Sequence, residues 1–298
     1  VSKAIAKKLE SGLRISKMDD IYVLVKVRLS LMVVISSCLA YLVAAGSLFS
    51  WLTLSLLFVG GMAVTGAANA VNQVLEKEFD ALMERTRLRP VADNRMRSSE
   101  AVLISGLLLV FGTICLALIN PLAAFLGMSS FILYAFVYTP LKRYTTLSVA
   151  IGAIPGALPV LIGTVAHSTT FTMLGLSLFL IQFLWQFPHF WAISFLSFED
   201  YDKANYKLLP KDSDGNIDRN LGAYSALYAL MILPVVFYMQ YYGEAISVTS
   251  LGAVTLLTLY YIFNGIQMQR TPSRKTARTL MFSSFFYLPL VLIFYLIG

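Results

Sequence analysis

Apolar residues in this chain gather into long unbroken runs, and polar residues collect between them. The runs lie near Tyr22 to Ala45, Leu52 to Asp80, Ala101 to Ile119, Pro121 to Tyr138, Leu147 to Ala166, Phe171 to Phe198, Leu221 to Tyr241, Ile246 to Met268 and Thr279 to Leu296. Each approaches or exceeds the roughly 20 residues that a helix needs to cross a bilayer. None keeps the two-residue alternation of strands in a membrane barrel. The pattern predicts an all-α fold, a multi-span integral membrane bundle of about nine transmembrane helices around a central cavity. No repeat or soluble module interrupts it, so residues 1–298 read as a single membrane-embedded domain. Before the first run, Ile5, Leu9 and Leu13 recur at four-residue intervals among Lys3, Lys7, Lys8 and Arg14. This predicts an interfacial helix within residues 1–20. The first run is too long for a signal-peptide core and is read as a retained span.

Composition agrees with the pattern. With 58% hydrophobic and 13% charged residues and a mean hydropathy of +0.73, an ordinary soluble domain is excluded. The charges then orient the bundle. All 23 Lys and Arg fall into the segments Lys3 to Arg28, Lys77 to Arg97, Lys142 and Arg143, Lys203 to Arg219, and Arg270 to Arg278. With nine spans these segments share one side, and the alternate turns carry no Lys or Arg. Glu244 is the acidic residue on that other side. The positive-inside rule makes the charged side cytoplasmic. The expected setting is therefore the bacterial inner membrane, with the N-terminus and the loops 81–98 and 199–218 cytoplasmic and the C-terminus opposite. The net charge of +7 reads as orientation, contact with membrane lipid and anionic ligands, with no nucleic acid involved. Cys38 and Cys115 lie in separate spans without paired spacing, which speaks against a disulfide framework or a cysteine metal site.

Chemistry is concentrated at two span ends. Asn72, Glu76 and Asp80 stand four residues apart, so on a helix they share a face, and Arg85-Thr86-Arg87-Leu88-Arg89-Pro90 follows. Two carboxylates and an amide at membrane depth mark a substrate or ion path and suit a hard divalent cation, which reads as a metal-diphosphate site. The bland alternative is a polar helix end in which Asp80 pairs with Lys77 or Arg85. The sixth span carries Gln186-Phe187-Pro188-His189-Phe190-Trp191 and runs into Glu199-Asp200-Tyr201-Asp202-Lys203. About three turns separate His189 from Asp200, so a persisting helix would place them on one face, with Pro188 a possible kink. The two carboxylate clusters are thus expected to face each other. For His189 the choice is between facing a porphyrin and being a buried histidine satisfied by Gln186 or a backbone carbonyl. Phe183, Phe187 and Phe190 default to packing.

These residues carry a resemblance. The row Asn72, Glu76, Asp80 with Met83, Arg85-Thr86 and Arg89-Pro90 resembles the first signature of the UbiA-type intramembrane prenyltransferase superfamily, and in particular its protoheme IX farnesyltransferase branch. Gln186 to Ala192, Asp200-Tyr201 and Leu209-Pro210 resemble the second signature. Tyr138 to Arg143, Gly152 to Pro159 and Tyr287-Leu288-Pro289 extend the likeness over nearly the whole chain. Glu76 stands where the family commonly has Asp, Val27 where a proline is common in Lys-Pro-Arg, and Ser148 where Asn is usual.

The resemblance implies transfer of farnesyl from farnesyl diphosphate to a vinyl group of heme B, with water adding to give heme O. It implies Mg2+ held by Glu76, Asp80 and Asp200, with Asn72 as a neutral ligand or orienting group. Arg85 and Arg89 would grip phosphate oxygens, and Lys142, Arg143 and Lys203 would add charge. His189, Gln186 and Trp191 would meet the heme. A heme A synthase or a terminal oxidase would receive the product. A quinone-precursor polyprenyltransferase is the nearest alternative. A noncatalytic heme-handling membrane protein would not need paired carboxylate clusters, and a transporter would place them nearer the midplane.

Overall fold

The computed structural model describes residues 15–242 and 246–298. Most of the expected interfacial helix, including Ile5, Leu9 and Leu13, lies outside the described residues, as does Glu244. The described chain opens with α1 (Lys17–Leu24), capped by Ser16 and Asp19, which bond each other's backbone amides. Nine helices among the described residues are long and apolar enough to cross a membrane, matching the nine apolar runs. No strand forms among them, and the one isolated bridge joins Lys211 to Ile217.

The spans follow in order. They are α2 (Val27–Ala45), α3 (Trp51–Leu75) continued after a break by α4 (Lys77–Leu82), α5 (Ser98–Ala117), and α6 (Pro121–Ile132) with its extension to Leu141. Next come α7 (Ser148–Ser168), α8 (Met173–Leu196) with the short α9 (Phe198–Lys203), and a seventh span split into α10 (Leu221–Leu230) and α11 (Ile232–Tyr242). The last two are α12 (Val248–Arg270) and α13 (Arg274–Ile297). Polar residues in the turns start these helices. Ser50, Asn120, Thr172 and Ser273 each accept an amide from the first turn, which satisfies donors that the helix itself leaves unpaired.

Successive spans pack side by side, and α13 returns to α2, closing the bundle. The fifth span, α7, is the most enclosed and touches α2, α6 and α8. Its approach to α2 requires glycine, because a Cβ on Gly163 would stand 2.1 Å from the Ser37 carbonyl oxygen.

Three apolar runs that look continuous in sequence are broken. The seventh span breaks at Met231 because Pro234 has no amide for the Leu230 carbonyl. The fourth widens into a π segment, Leu133–Tyr138, just before Pro140. The second breaks at Glu76, where φ is −101° and ψ is 8°. The Glu76 and Asp80 amides nevertheless still reach the carbonyls four residues back, at 3.0 and 2.7 Å, so the predicted row survives the break.

The charged connections are gathered at one end of the bundle. The Lys207 amide donates to the Lys142 carbonyl at 2.6 Å, and Asp200 accepts from the Glu84 and Arg85 amides at 3.3 Å each. The loops after α4, after the fourth span and after α9 therefore meet above the ends of α3 and α8. At the opposite end, the Gly298 carbonyl accepts from the Ser247 amide.

Candidate active site

The site is built around the end of α3. Its polar face, Asn69, Asn72 and Gln73, is buried against the junction of α1 and α2. Helix α1 ends there and leaves carbonyls without helical partners. Gln73 donates to Val23 and Leu24 at 2.9 Å, and Asn69 donates to Val25 at 3.4 Å and to Ser30 Oγ at 3.1 Å. These bonds hold the chain where Lys26 takes a left-handed conformation, φ 48°, which is uncommon for a residue with a side chain. Lys26 Nζ thereby points inward and donates to Asn72 Oδ1 at 2.8 Å. Val27 begins α2, the first helical position, where a proline would also fit because no intrahelical amide is needed.

The fourth span reaches the same point through its π segment, a feature frequent at functional sites. Thr139 Oγ1 donates to the Tyr134 carbonyl at 2.8 Å and accepts from Asn72 Nδ2 at 3.2 Å. One turn later Lys142 Nζ donates to Glu76 Oε1 at 2.8 Å, lying 4.5 Å from the centre of the Tyr138 ring. After α4 the chain curls back, with Thr86 Oγ1 donating to the Asp80 carbonyl at 2.9 Å. The turn returns Arg89 to the row. Its Nη1 meets both Asp80 oxygens at 2.6 and 2.8 Å and lies 3.9 Å from Glu76 Oε2.

Two buried carboxylates thus face three basic side chains, Lys26, Arg89 and Lys142. Burial works to raise Glu76, but the Lys142 ammonium, aided by Lys26 and Arg89, holds its carboxyl below the usual range. Asp80 moves the other way. Burial and the neighbouring Glu76 raise it, even against Arg89. Among the described residues the Lys26 ammonium donates to an amide oxygen alone, and burial together with Arg89 and Lys142 pushes it well below the ordinary lysine value. The salt bridge expected of a bland helix end, Asp80 with Lys77 or Arg85, is not the one formed.

Other expected residues are placed differently. Asp200 is half-buried, and its two oxygens are taken by the Glu84 and Arg85 amides. Arg85 is exposed and donates to the Tyr201 hydroxyl at 3.1 Å. Arg143 lies 4.6 Å from the Phe79 ring centre, and Lys203 is exposed. Among the described residues no three His, Cys, Asp or Glu side chains form a metal cluster, so Asp200 is not gathered with Glu76 and Asp80. Glu76 and Asp80 themselves already share one cation, the Arg89 guanidinium. Two carboxylates with an amide oxygen alongside are the hard donor set that Mg2+ takes, its shell completed by water and phosphate. The residues fit that ion.

His189 sits deeper, between α8 and α13. Its Nδ1 is 2.7 Å from Ser284 Oγ, and its ring stacks on Trp185 at 4.8 Å. Ser284 Oγ donates its own proton to the Met281 carbonyl. The shared hydrogen is therefore the imidazole's Nδ1–H, and Nε2 carries the lone pair. Neither Gln186 nor a backbone carbonyl satisfies the ring. Gln186 instead ties α8 to α7 through the Ala153 carbonyl at 2.9 Å, and Trp191 packs on Phe187, Tyr224 and Tyr228. Sequence reasoning gave no role to Lys26, Thr139 or Tyr206. For Lys26 a signal existed, a lysine directly before an apolar span, but six other basic residues from Lys3 to Arg28 hid it.

Comparisons with known proteins give the family. The profile of the UbiA prenyltransferase family matches residues 33–288, and the chain belongs to that family. It is an intramembrane prenyltransferase. Among curated relatives it is 39% identical to the protoheme IX farnesyltransferase of Flavobacterium johnsoniae, covering 93% of each chain. It is 38% identical to that of Cytophaga hutchinsonii, covering 93% of this chain and 96% of the relative. Among solved structures, a digeranylgeranylglyceryl phosphate synthase matches with a TM-score of 0.78 at 18% identity, over 95% of this chain and 99% of that one. A UbiA homolog from Archaeoglobus fulgidus bound to GPP and Mg2+ matches with a TM-score of 0.67 at 11% identity, over 93% and 99%. At these identities the structural likeness establishes the fold.

Proposed function

We propose that this chain transfers the farnesyl group of farnesyl diphosphate to a vinyl group of heme B, forming heme O. The observation that carries the reading is the convergence of Arg89 and Lys142 on two buried carboxylates, with Lys26 on the adjoining Asn72 amide, an array richer in donors than in acceptors. An anion with many acceptor oxygens completes such an array, and a diphosphate is one. The curated relatives named above support heme as the acceptor. The charged loops are assigned to the cytoplasmic side of a bacterial inner membrane by the positive-inside rule.

In this reading Glu76 and Asp80, with Asn72, hold magnesium. Mg2+ supplies charge that stabilises the departing diphosphate. Arg89 and Lys142 exchange their carboxylate contacts for phosphate oxygens, Arg89 in bidentate fashion. Lys26 gains a full counter-charge. Such preorganised charge at the leaving group is the largest expected term in catalysis. The allylic C–O bond breaks and its electron pair leaves on the diphosphate. Electrons of the vinyl group close the new C–C bond, and water adds to the resulting carbon centre with loss of a proton. The surrounding apolar helices keep that water from arriving early. Asp200 reaches the ligand only by releasing the Glu84 and Arg85 amides, so its role begins as a clasp on that turn. Arg85, Arg143 and Lys203 rim the entrance. His189 is assigned to the porphyrin, because a histidine that donates from Nδ1 presents Nε2 in the form that ligates iron. Gln186 and Trp191 hold the walls beside it.

The test is the mass of the product formed by purified protein from heme B, farnesyl diphosphate and magnesium, with a chelator in a parallel reaction. Hydroxyethylfarnesyl heme that disappears with chelator is the expected outcome. A prenylated 4-hydroxybenzoate in its place keeps the diphosphate site and overturns the acceptor.

A further inference from the structure

Tyr206 lies in the loop after α9, where nothing in the sequence reading gave it a role. Asn205, at φ 53°, reverses the chain, and the Tyr206 amide donates to the Tyr201 carbonyl at 2.9 Å. The next amide, that of Lys207, is fixed to the Lys142 carbonyl. This reversal turns Tyr206 inward, 7% exposed, while Lys207 stays outside. Its ring is held 6.0 Å from the rings of both Phe79 and Tyr201, and Lys142 Nζ lies 5.9 Å from its centre. Residues from three separate connections therefore clamp the ring over the end of α3.

The hydroxyl at its tip is buried and has no hydrogen-bond partner among the described residues. It lies next to the Glu76 carboxylate, close enough to interact with it, but makes no bond of good geometry there. Three of the four carboxylate oxygens nearby are already engaged, and the fourth, Glu76 Oε2, has the Arg89 guanidinium 3.9 Å away. Glu76 Oε1 is held by Lys142, and both Asp80 oxygens are held by Arg89. A tyrosine phenol keeps its proton at neutral pH, so the hydroxyl is available as an O–H donor. An unmade hydrogen bond of this kind costs free energy in the ligand-free protein. A strained or unpaired group at a functional site is recovered when a ligand supplies its partner.

We propose that the Tyr206 hydroxyl is a further substrate-binding group of this site, donating to an oxygen of the bound diphosphate alongside Lys142. The assignment rests on the diphosphate reading of the site. It gives the loop after α9 a direct part in binding, through a residue that is neither acidic nor basic. It also predicts opposite effects on stability and on affinity. A hydroxyl kept for structure stabilises the empty protein, whereas one kept for a ligand does not.

Tyr206→Phe separates the two, since it removes the oxygen and leaves the ring contacts in place. Full-length wild type and Tyr206→Phe in detergent with magnesium are titrated calorimetrically with inorganic pyrophosphate and with farnesyl thiolodiphosphate, and the unfolding midpoint of each is measured without ligand. The expected result is an unchanged or raised midpoint together with affinity for both ligands weakened about ten- to a hundredfold, as for a lost hydrogen bond to a charged group. Equal affinity in the two proteins overturns the role of Tyr206 while leaving the diphosphate site intact. A lowered midpoint with unchanged affinity overturns it in favour of a structural hydroxyl. Weakening confined to the thiolodiphosphate puts the hydroxyl against the prenyl chain and overturns the contact with diphosphate. If the wild type binds neither ligand, the diphosphate reading itself fails, and Tyr206 with it.

Discussion

The two acidic clusters lie at the same kind of place. Each follows a long span that breaks at one residue, Glu76 after α3 and Ser197 after α8, and each continues as a six-residue helix, α4 or α9. Their environments differ sharply. Asp80 is 0% exposed and Glu76 5%, and both are answered by basic side chains, Lys142 buried and Arg89 half-buried. Around α9, Glu199 and Asp202 are exposed, and half-buried Asp200 is answered by backbone amides. Buried ion pairs cost desolvation that only excellent geometry or a ligand offsets. Carboxylates left near water cost little and stabilise little. Under the proposed function the first cluster is the reaction machinery, with its own bases occupying the ligand's place, and the second is a clasp that fixes the turn carrying Arg85 to Arg89. The same local device, a helix broken where it leaves the bundle, meets two environments because only one break is buried.

The sharpest way to break this contrast is Asp80→Asn, nearly isosteric and uncharged. Turnover measured by product mass, per molecule of folded protein, is expected to fall about a thousandfold, the upper range for one electrostatic group at a reacting centre. Retained activity would move the reaction away from α3. Next in size is Lys142→Met. It strands the Glu76 carboxylate in a buried site, and removing one partner of such a pair costs about 3–5 kcal/mol. Thermal unfolding should show a clear loss. The double variant Glu76→Gln with Lys142→Met should recover most of that stability and none of the activity. If it recovers neither, the pair is not an isolated unit, and the first cluster is held together by other contacts.

Most of the frame on which this contrast rests was legible in the sequence. Membrane helices are written as apolar length, so all nine spans were readable, and a four-residue period survives a one-residue break, so the row Asn72, Glu76, Asp80 was too. The breaks themselves were not. Pro234 and Pro140 explain two of them, but the break at Glu76 leaves no residue-level signal, and the Arg89 and Lys142 side chains that meet it there come from other parts of the chain. Pairings across long separations were equally hidden. Nothing near Lys26 announces Asn72, 46 positions on, and nothing near His189 announces Ser284, 95 positions on. Asp200 was misjudged in its surroundings for the same reason. Its acidity is visible in the chain, but its engagement with two amides of a distant turn is not.

A smaller effect is expected from Asp200→Asn. The asparagine oxygen can still accept one of the two amides, so the turn loosens without losing its anchor. About a tenfold loss in kcat/KM follows if one charge-assisted hydrogen bond is weakened, with little change in unfolding midpoint. A loss equal to that of Asp80→Asn would erase the contrast and put Asp200 in direct contact with the metal and diphosphate.

The smallest effect tests the rim. Arg85 is exposed, and its guanidinium donates to the Tyr201 hydroxyl and lies 5.5 Å from that ring's centre. At an exposed site a cation over an aromatic ring contributes about 0.5–1 kcal/mol. Arg85→Ala should therefore raise KM for farnesyl diphosphate about two- to fivefold and leave kcat close to wild type. Because the guanidinium acts on the approaching anion through water, the difference should shrink as salt is raised from low to physiological strength. Arg89, enclosed between Glu76 and Asp80, should show no such rescue, since buried charges are screened far less. An Arg85→Ala defect in kcat that persists in salt would instead place Arg85 inside the closed site and make the turn, not α3 alone, the seat of the reaction.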